Sequence, residues 1–184
     1  MDFMDLVVWG SRGCLLLVFA LSVHGKVRDG RAFEEFTESV RTLASRLTGR
    51  TRPVAVLVVA GETAAAVTLA LPATAPLGLA LSAALLAAFT LVVAVAPRTG
   101  TGLSCRCFGA SSAQPRSVLL LRNSALLVLA VGGLTAVAVS GPGEAAPAAA
   151  ASALCAGGVL GLLAASLDDL VGLFRPLPRK EHPS

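Results

Sequence analysis

Apolar residues are gathered into five long blocks, Leu6–Val23, Val54–Leu71, Leu77–Ala96, Val118–Val139 and Ala145–Leu167. Each is close to the roughly 20 residues that cross a bilayer's hydrocarbon as a helix. Lipid offers backbone groups no partners, so a crossing segment must bond within itself, and these Ala, Leu and Val runs lack the two-residue alternation of barrel strands. The pattern predicts an all-α, polytopic integral membrane helical bundle, a single domain over residues 1–184 with a four-helix core and a fifth span. The joints "LPATAP" (Leu71–Pro76) and "SGPGEAAP" (Ser140–Pro147) are short and broken by proline and glycine, which makes spans two/three and four/five antiparallel hairpins.

Two connections are longer, His24–Arg52 and Pro97–Ser117. In the first, Phe33, Phe36, Val40, Leu43 and Leu47 follow the period of one helical face, while Glu34, Glu35, Glu38, Arg41 and Arg46 take the other faces and Gly49 supplies a stop. The expectation is an amphipathic helix over about 31–48, lying at the interface or across the bundle mouth. Two roles suit it: inert cover, or a lid over a site.

Composition agrees with lipid as the surrounding partner. Of the 184 residues, 55% are hydrophobic and 14% charged, against about 25% charged in soluble chains. The net charge of +4 does not point to nucleic acid, because the basic residues flank apolar spans. Of the 15 Lys and Arg, all but Arg12 and Arg122 fall in the two long connections (Lys26, Arg28, Arg31, Arg41, Arg46, Arg50, Arg52; Arg98, Arg106, Arg116) or the tail (Arg175, Arg179, Lys180). Five spans put all of these on one side, and the positive-inside rule makes that side the cytoplasm. The expected protein is a multi-pass protein of the cell membrane with its N-terminus outside. Asp2 and Asp5 stand where a secretory signal would carry Lys or Arg, so the first span is expected to be retained.

The second long connection holds "SCRCFGAS", Ser104–Ser111. Cys105 and Cys107 are separated only by Arg106, whose guanidinium favours the thiolate, the form that attacks disulfides or binds soft metals. A disulfide closed across one residue is a strained ring and exchanges readily. The same two thiols would supply only half of a tetrahedral zinc site, and only His24 and His182 could add imidazoles. Thiol exchange is the leading expectation; metal binding with a partner's help and cysteines without chemistry are the alternatives. No resident metal is expected.

Inside the spans, Glu62 is nine residues into the second block, roughly 13 Å from its start at 1.5 Å per residue. A carboxylate at that depth is costly unless protonated or paired. Lys26, Arg12 and Arg122 are the available cations, and depth selects Arg122, giving an expected Glu62–Arg122 pair between spans two and four; a proton relay or substrate contact is the alternative. Arg122 itself can snorkel to the cytoplasmic face, and Arg12 to the outer headgroups, beside Trp9 as an interfacial anchor. Cys14 and Cys155 fall within spans and are expected as small packing residues rather than a second thiol pair.

Four segments carry a resemblance: "HGKVRDGRAF" after the first span, "RPVAVLVVAGE" opening the second, "CRCFG" before the fourth and "LLRNSALL" inside it. In this order and spacing the chain resembles the MauE family of methylamine utilisation proteins, related to the DoxX-type four-helix membrane proteins. The resemblance runs from about Leu6 to Val139 and implies a role in maturing the disulfide-rich subunit of methylamine dehydrogenase, alongside a thioredoxin-fold partner. Its marks fall on Lys26, Glu62, Cys105, Cys107, Phe108, Gly109, Arg122 and Asn123. His24 departs from the small or apolar residue expected before Gly25.

The arrangement also resembles vitamin K epoxide reductase bundles but lacks their cysteine spacing. A quinone is compatible with that likeness, yet no residue here derives one, and no cofactor is evident. The expected function is thus a membrane thiol–disulfide factor. The alternative is a non-enzymatic scaffold, or a small-molecule or metal carrier, whose loop docks a partner. One tension accompanies the first: disulfide formation belongs to the oxidising side of a membrane, whereas the charge count puts Cys105 and Cys107 in the cytoplasm. Either the charge rule fails here or the thiols take electrons from a cytoplasmic reductant.

Overall fold

A computed structural model of the chain describes residues 2–43, 50–95, 116–141 and 146–173, with side chains through 41 in the first segment and 166 in the last. All the elements described are helical: α1 (Phe3–Val27), α2 (Gly30–Leu43), α3 (Thr51–Ala70), a 3-10 turn (Pro72–Thr74), α4 (Ala75–Val95), α5 (Arg116–Ser140) and α6 (Pro147–Leu173). Five of them, all but α2, are long and apolar enough to cross a membrane. The protein is an all-α polytopic membrane helical bundle.

Local chemistry sets the ends. The Asp2 amide donates to Asp5 Oδ2 at 3.3 Å, placing a carboxylate in the first turn of α1, where the helix dipole favours it. Asp29 starts α2 by accepting from the Ala32 amide at 2.7 Å, the usual N-cap bond. Leu71 is extended (φ −90°, ψ 123°) because Pro72 disfavours a helical residue before it. Gly141 ends α5 at φ +83°, its amide bonded to Val137 O at 2.9 Å, a left-handed position suited to glycine. Pro147, a weak point in a fifth span if it fell inside, is the first residue of α6, where its missing N–H leaves nothing unbonded.

α1 packs on α3 and α5, and α4 closes the ring between α3 and α5. Successive spans run in opposite directions around this four-helix core. α6 packs along α1, outside the ring, making α1 the central helix: half of its membrane window is buried, against 22–28% for the others. The core is formed by Leu15, Val18, Phe19, Ala65, Leu69, Leu79, Leu86, Leu126 and Ala130. α2 rests on α1 and α3, at the end where α1 and α4 finish and α3 and α5 begin.

Candidate functional site

Polar side chains meet inside this ring. Lys26, in the last turn of α1, has no exposed side-chain surface, and Glu62 of α3 only 2%. Lys26 Nζ donates to Glu62 Oε1 at 2.7 Å and Oε2 at 2.8 Å, and to Ser22 Oγ, one turn back on the same face, at 2.6 Å. Ser22 Oγ in turn donates to Glu62 Oε1 at 3.2 Å. The ammonium thus spends its three donors on three oxygens, which is what burial of a charge demands. Two aromatic rings cover it: Nζ is 5.0 Å from the ring centre of Phe36 on α2 and 5.9 Å from that of Phe89 on α4, both within cation–π range.

Beside this pair is a small, partly open cavity of about 30 Å³, lined by Val18, Phe19, Ser22, Glu62, Leu86, Phe89, Arg122, Asn123 and Leu126. It has room for a water molecule. Arg122 and Asn123 are both buried and lie six and seven residues into α5, roughly 9–10 Å from its start. Four positions marked by the family resemblance, Lys26, Glu62, Arg122 and Asn123, therefore come to one place from three helices. The lining is mostly apolar, with Ser22, Glu62, Arg122 and Asn123 as its polar members. Among the described residues no three His, Cys, Asp or Glu side chains are grouped as metal ligands.

Three expectations are corrected. Depth pairs Glu62 with Arg122, but the structure puts Lys26 on both Glu62 oxygens and sets Arg122 in the wall of the adjoining cavity. The reason is reach: α1 continues to Val27, and a lysine stem points back along its own helix, so Lys26 belongs to the span and not to the connection. Arg122 does not snorkel; it is buried. Arg12 does not snorkel either, being 1% exposed. Its Nε and Nη2 donate to Leu69 O at 3.3 and 3.0 Å, satisfying a carbonyl in the last turn of α3 that has no partner within the helix. Trp9 stacks on that guanidinium, 4.2 Å from ring centre to Arg12 Cζ, and so has a structural partner beyond any interfacial role.

α2 supplies what the sequence left open. Phe36 is buried, with Phe33 and Val40 half-buried on the same face, so the helix covers the polar pair itself. The side chains of Leu43 and Leu47 lie outside the described residues, as do Cys105, Arg106, Cys107, Phe108 and Gly109. The connection that carries those thiols leaves from Val95 of α4 and returns at Arg116 of α5, the two helices that bring Phe89, Arg122 and Asn123 to the cavity. Arg116 Nη2 donates to Ala94 O across its base. Cys14 is buried and Cys155 exposed, both as free thiols; the Cys14 backbone packs against Gly161 of α6.

Ser22 and Phe89 escape a sequence reading, since a serine and a phenylalanine in apolar helices are ordinary. The available signal was Ser22's place four residues before Lys26.

Comparison with known families matches residues 4–136 to the family described as methylamine utilisation protein MauE. No curated protein and no solved structure matches the chain.

Proposed function

Because the chain belongs to the MauE family of methylamine utilisation proteins, a group associated with methylamine use, we propose that it is a membrane thiol–disulfide factor that assists maturation of a disulfide-containing client. The observation that carries this reading is the Cys105–Arg106–Cys107 sequence in the connection between α4 and α5. One thiolate, favoured by Arg106, attacks a disulfide of a thioredoxin-fold partner. The S–S bond breaks, a mixed disulfide forms, and the departing partner thiolate takes a proton. The second cysteine then attacks the mixed disulfide, leaving a Cys105–Cys107 disulfide and a reduced partner; the reverse sequence returns both electrons. The buried polar centre serves as a fixed frame between α4 and α5, the helices that carry that connection.

The test is trapping. Cys105→Ser or Cys107→Ser should accumulate a mixed disulfide with a thioredoxin-fold protein, seen on non-reducing gels, while Cys14→Ser and Cys155→Ser should not. Full client maturation in cells carrying the double Cys105→Ser, Cys107→Ser substitution would overturn the reading in favour of a scaffold whose connection only docks a partner.

A further inference from the structure

Asn123 is the polar side chain of the cavity wall whose bonding is incomplete. The residue is only 9% exposed, yet among the described residues its side-chain amide makes no hydrogen bond. Neither its oxygen nor its nitrogen is sealed off, unlike the enclosed and unbonded Nε1 of Trp9 and Nη1 of Arg12, and the cavity is where it is reached. A primary amide both donates and accepts, and leaving it unbonded away from water is costly. Glu62, on the same wall, accepts twice from Lys26 and once from Ser22. A carboxylate has about four lone-pair sites, so one acceptor position is left. The remaining wall is apolar: Val18, Phe19, Leu86, Phe89 and Leu126.

We infer that this cavity binds the hydroxyl end of a small, neutral, lipid-soluble alcohol, with Asn123 and Glu62 as its polar contacts and the five apolar side chains around the carbon atoms next to it. The enclosed volume of about 30 Å³ takes one water-sized group, and a hydroxyl is such a group, donating and accepting through a single atom. The guest is neutral because Glu62 already has its counter-charge in Lys26, and a further charge at this depth would go uncompensated. A protonated amine is disfavoured on that ground and a plain hydrocarbon leaves Asn123 unbonded. The cavity is partly open, which gives the rest of the molecule a way out. The site is separate from the thiol chemistry and stands whether or not Cys105 and Cys107 exchange.

The purified full chain in phosphatidylcholine nanodiscs can be photolysed with 1-octanol carrying a diazirine on its chain, or with octane carrying the same diazirine, and the adducts mapped by mass spectrometry. The alcohol should label residues of the cavity wall, among them Phe19, Glu62 and Phe89, and excess plain 1-octanol should remove that label. The alkane should label the wall roughly tenfold less, the worth of one or two hydrogen bonds, while both probes mark the exposed Leu91 and Val128 equally. Asn123→Leu, which keeps the shape and loses the bonds, should lower the alcohol's cavity label to the alkane's level. Leu126→Phe, which fills the cavity and leaves Asn123 and Glu62 in place, should abolish it. Where a variant fails to fold, the alcohol-to-alkane ratio in the unsubstituted chain decides. Equal cavity labelling by the two probes, a ratio unchanged in Asn123→Leu, or no cavity label at all, as for a space that holds water only, would overturn the site.

Discussion

Lys26 and Glu62 illustrate how a buried charge is tolerated only as part of a set. Removing one member leaves the other charged and enclosed, a loss of about 3–5 kcal/mol in buried pairs, whereas replacing both by apolar groups is often close to neutral. Lys26→Met and Glu62→Leu should therefore each lower the detergent melting temperature sharply, and the double variant should be more stable than either single one. Additive losses would mean that the two side chains act independently. At this scale the sequence was half legible. It shows that Glu62 is too deep to stand alone, because depth follows from counting residues along a helix. It could not say which cation answers, because that depends on where α1 stops and how far a lysine stem reaches back. The same blind spot covers Arg12, whose acceptor, Leu69 O, is 57 residues away in the chain and becomes available only because α3 ends there.

Among the elements, α6 is the one that the family match at 4–136 leaves out, yet it lies along the central helix. Its contact is made by small residues. A side chain at Gly157 would run into the backbone carbonyl of Gly10, and one at Gly161 would come within 2.6 Å of Cys14 O. Backbone approach of this kind is how membrane helices associate when no hydrophobic drive separates helix from lipid. Gly158, the next residue, has nothing within 4 Å of its would-be Cβ. Gly157→Leu should thus destabilise the bundle or release α6, read as a lower melting temperature and new protease access to the segment after α5. Gly158→Leu should change neither. Equal effects at the two positions would show that α6 is held in some other way. The five helices were legible from their apolar blocks, since a helix surrounded by lipid has no other way to satisfy its backbone. Which helices touch was not legible, because a uniformly apolar helix shows no face; only the spacing of Gly157 and Gly161 hints at one.

For the whole molecule, charge is distributed unevenly between the two ends of the helices. The ends of α1, α4 and α6 and the starts of α3 and α5 lie on one side of the bundle by the helix order, and the sequence attaches every Lys and Arg outside the spans to those helix ends. Lys26 leaves that tally, being spent on Glu62, but the imbalance persists: the opposite end has Asp2, Asp5 and Glu144 and no exposed cation in its connections. Basic residues close to span ends resist translocation, so the basic end, and with it Cys105 and Cys107, is predicted to face the cytoplasm. A membrane-impermeant maleimide added to intact cells should then leave these two thiols unlabelled and react with them after lysis, in a chain whose Cys14 and Cys155 have been replaced by serine. That outcome would require the proposed thiol pair to exchange electrons with a cytoplasmic reductant, since the compartment keeps thiols reduced. Labelling from outside would instead invert the bundle, place the pair on the oxidising side and make disulfide donation its natural direction. The orientation thus decides which way electrons move, and it does so through the distribution of arginines rather than through the cysteines themselves.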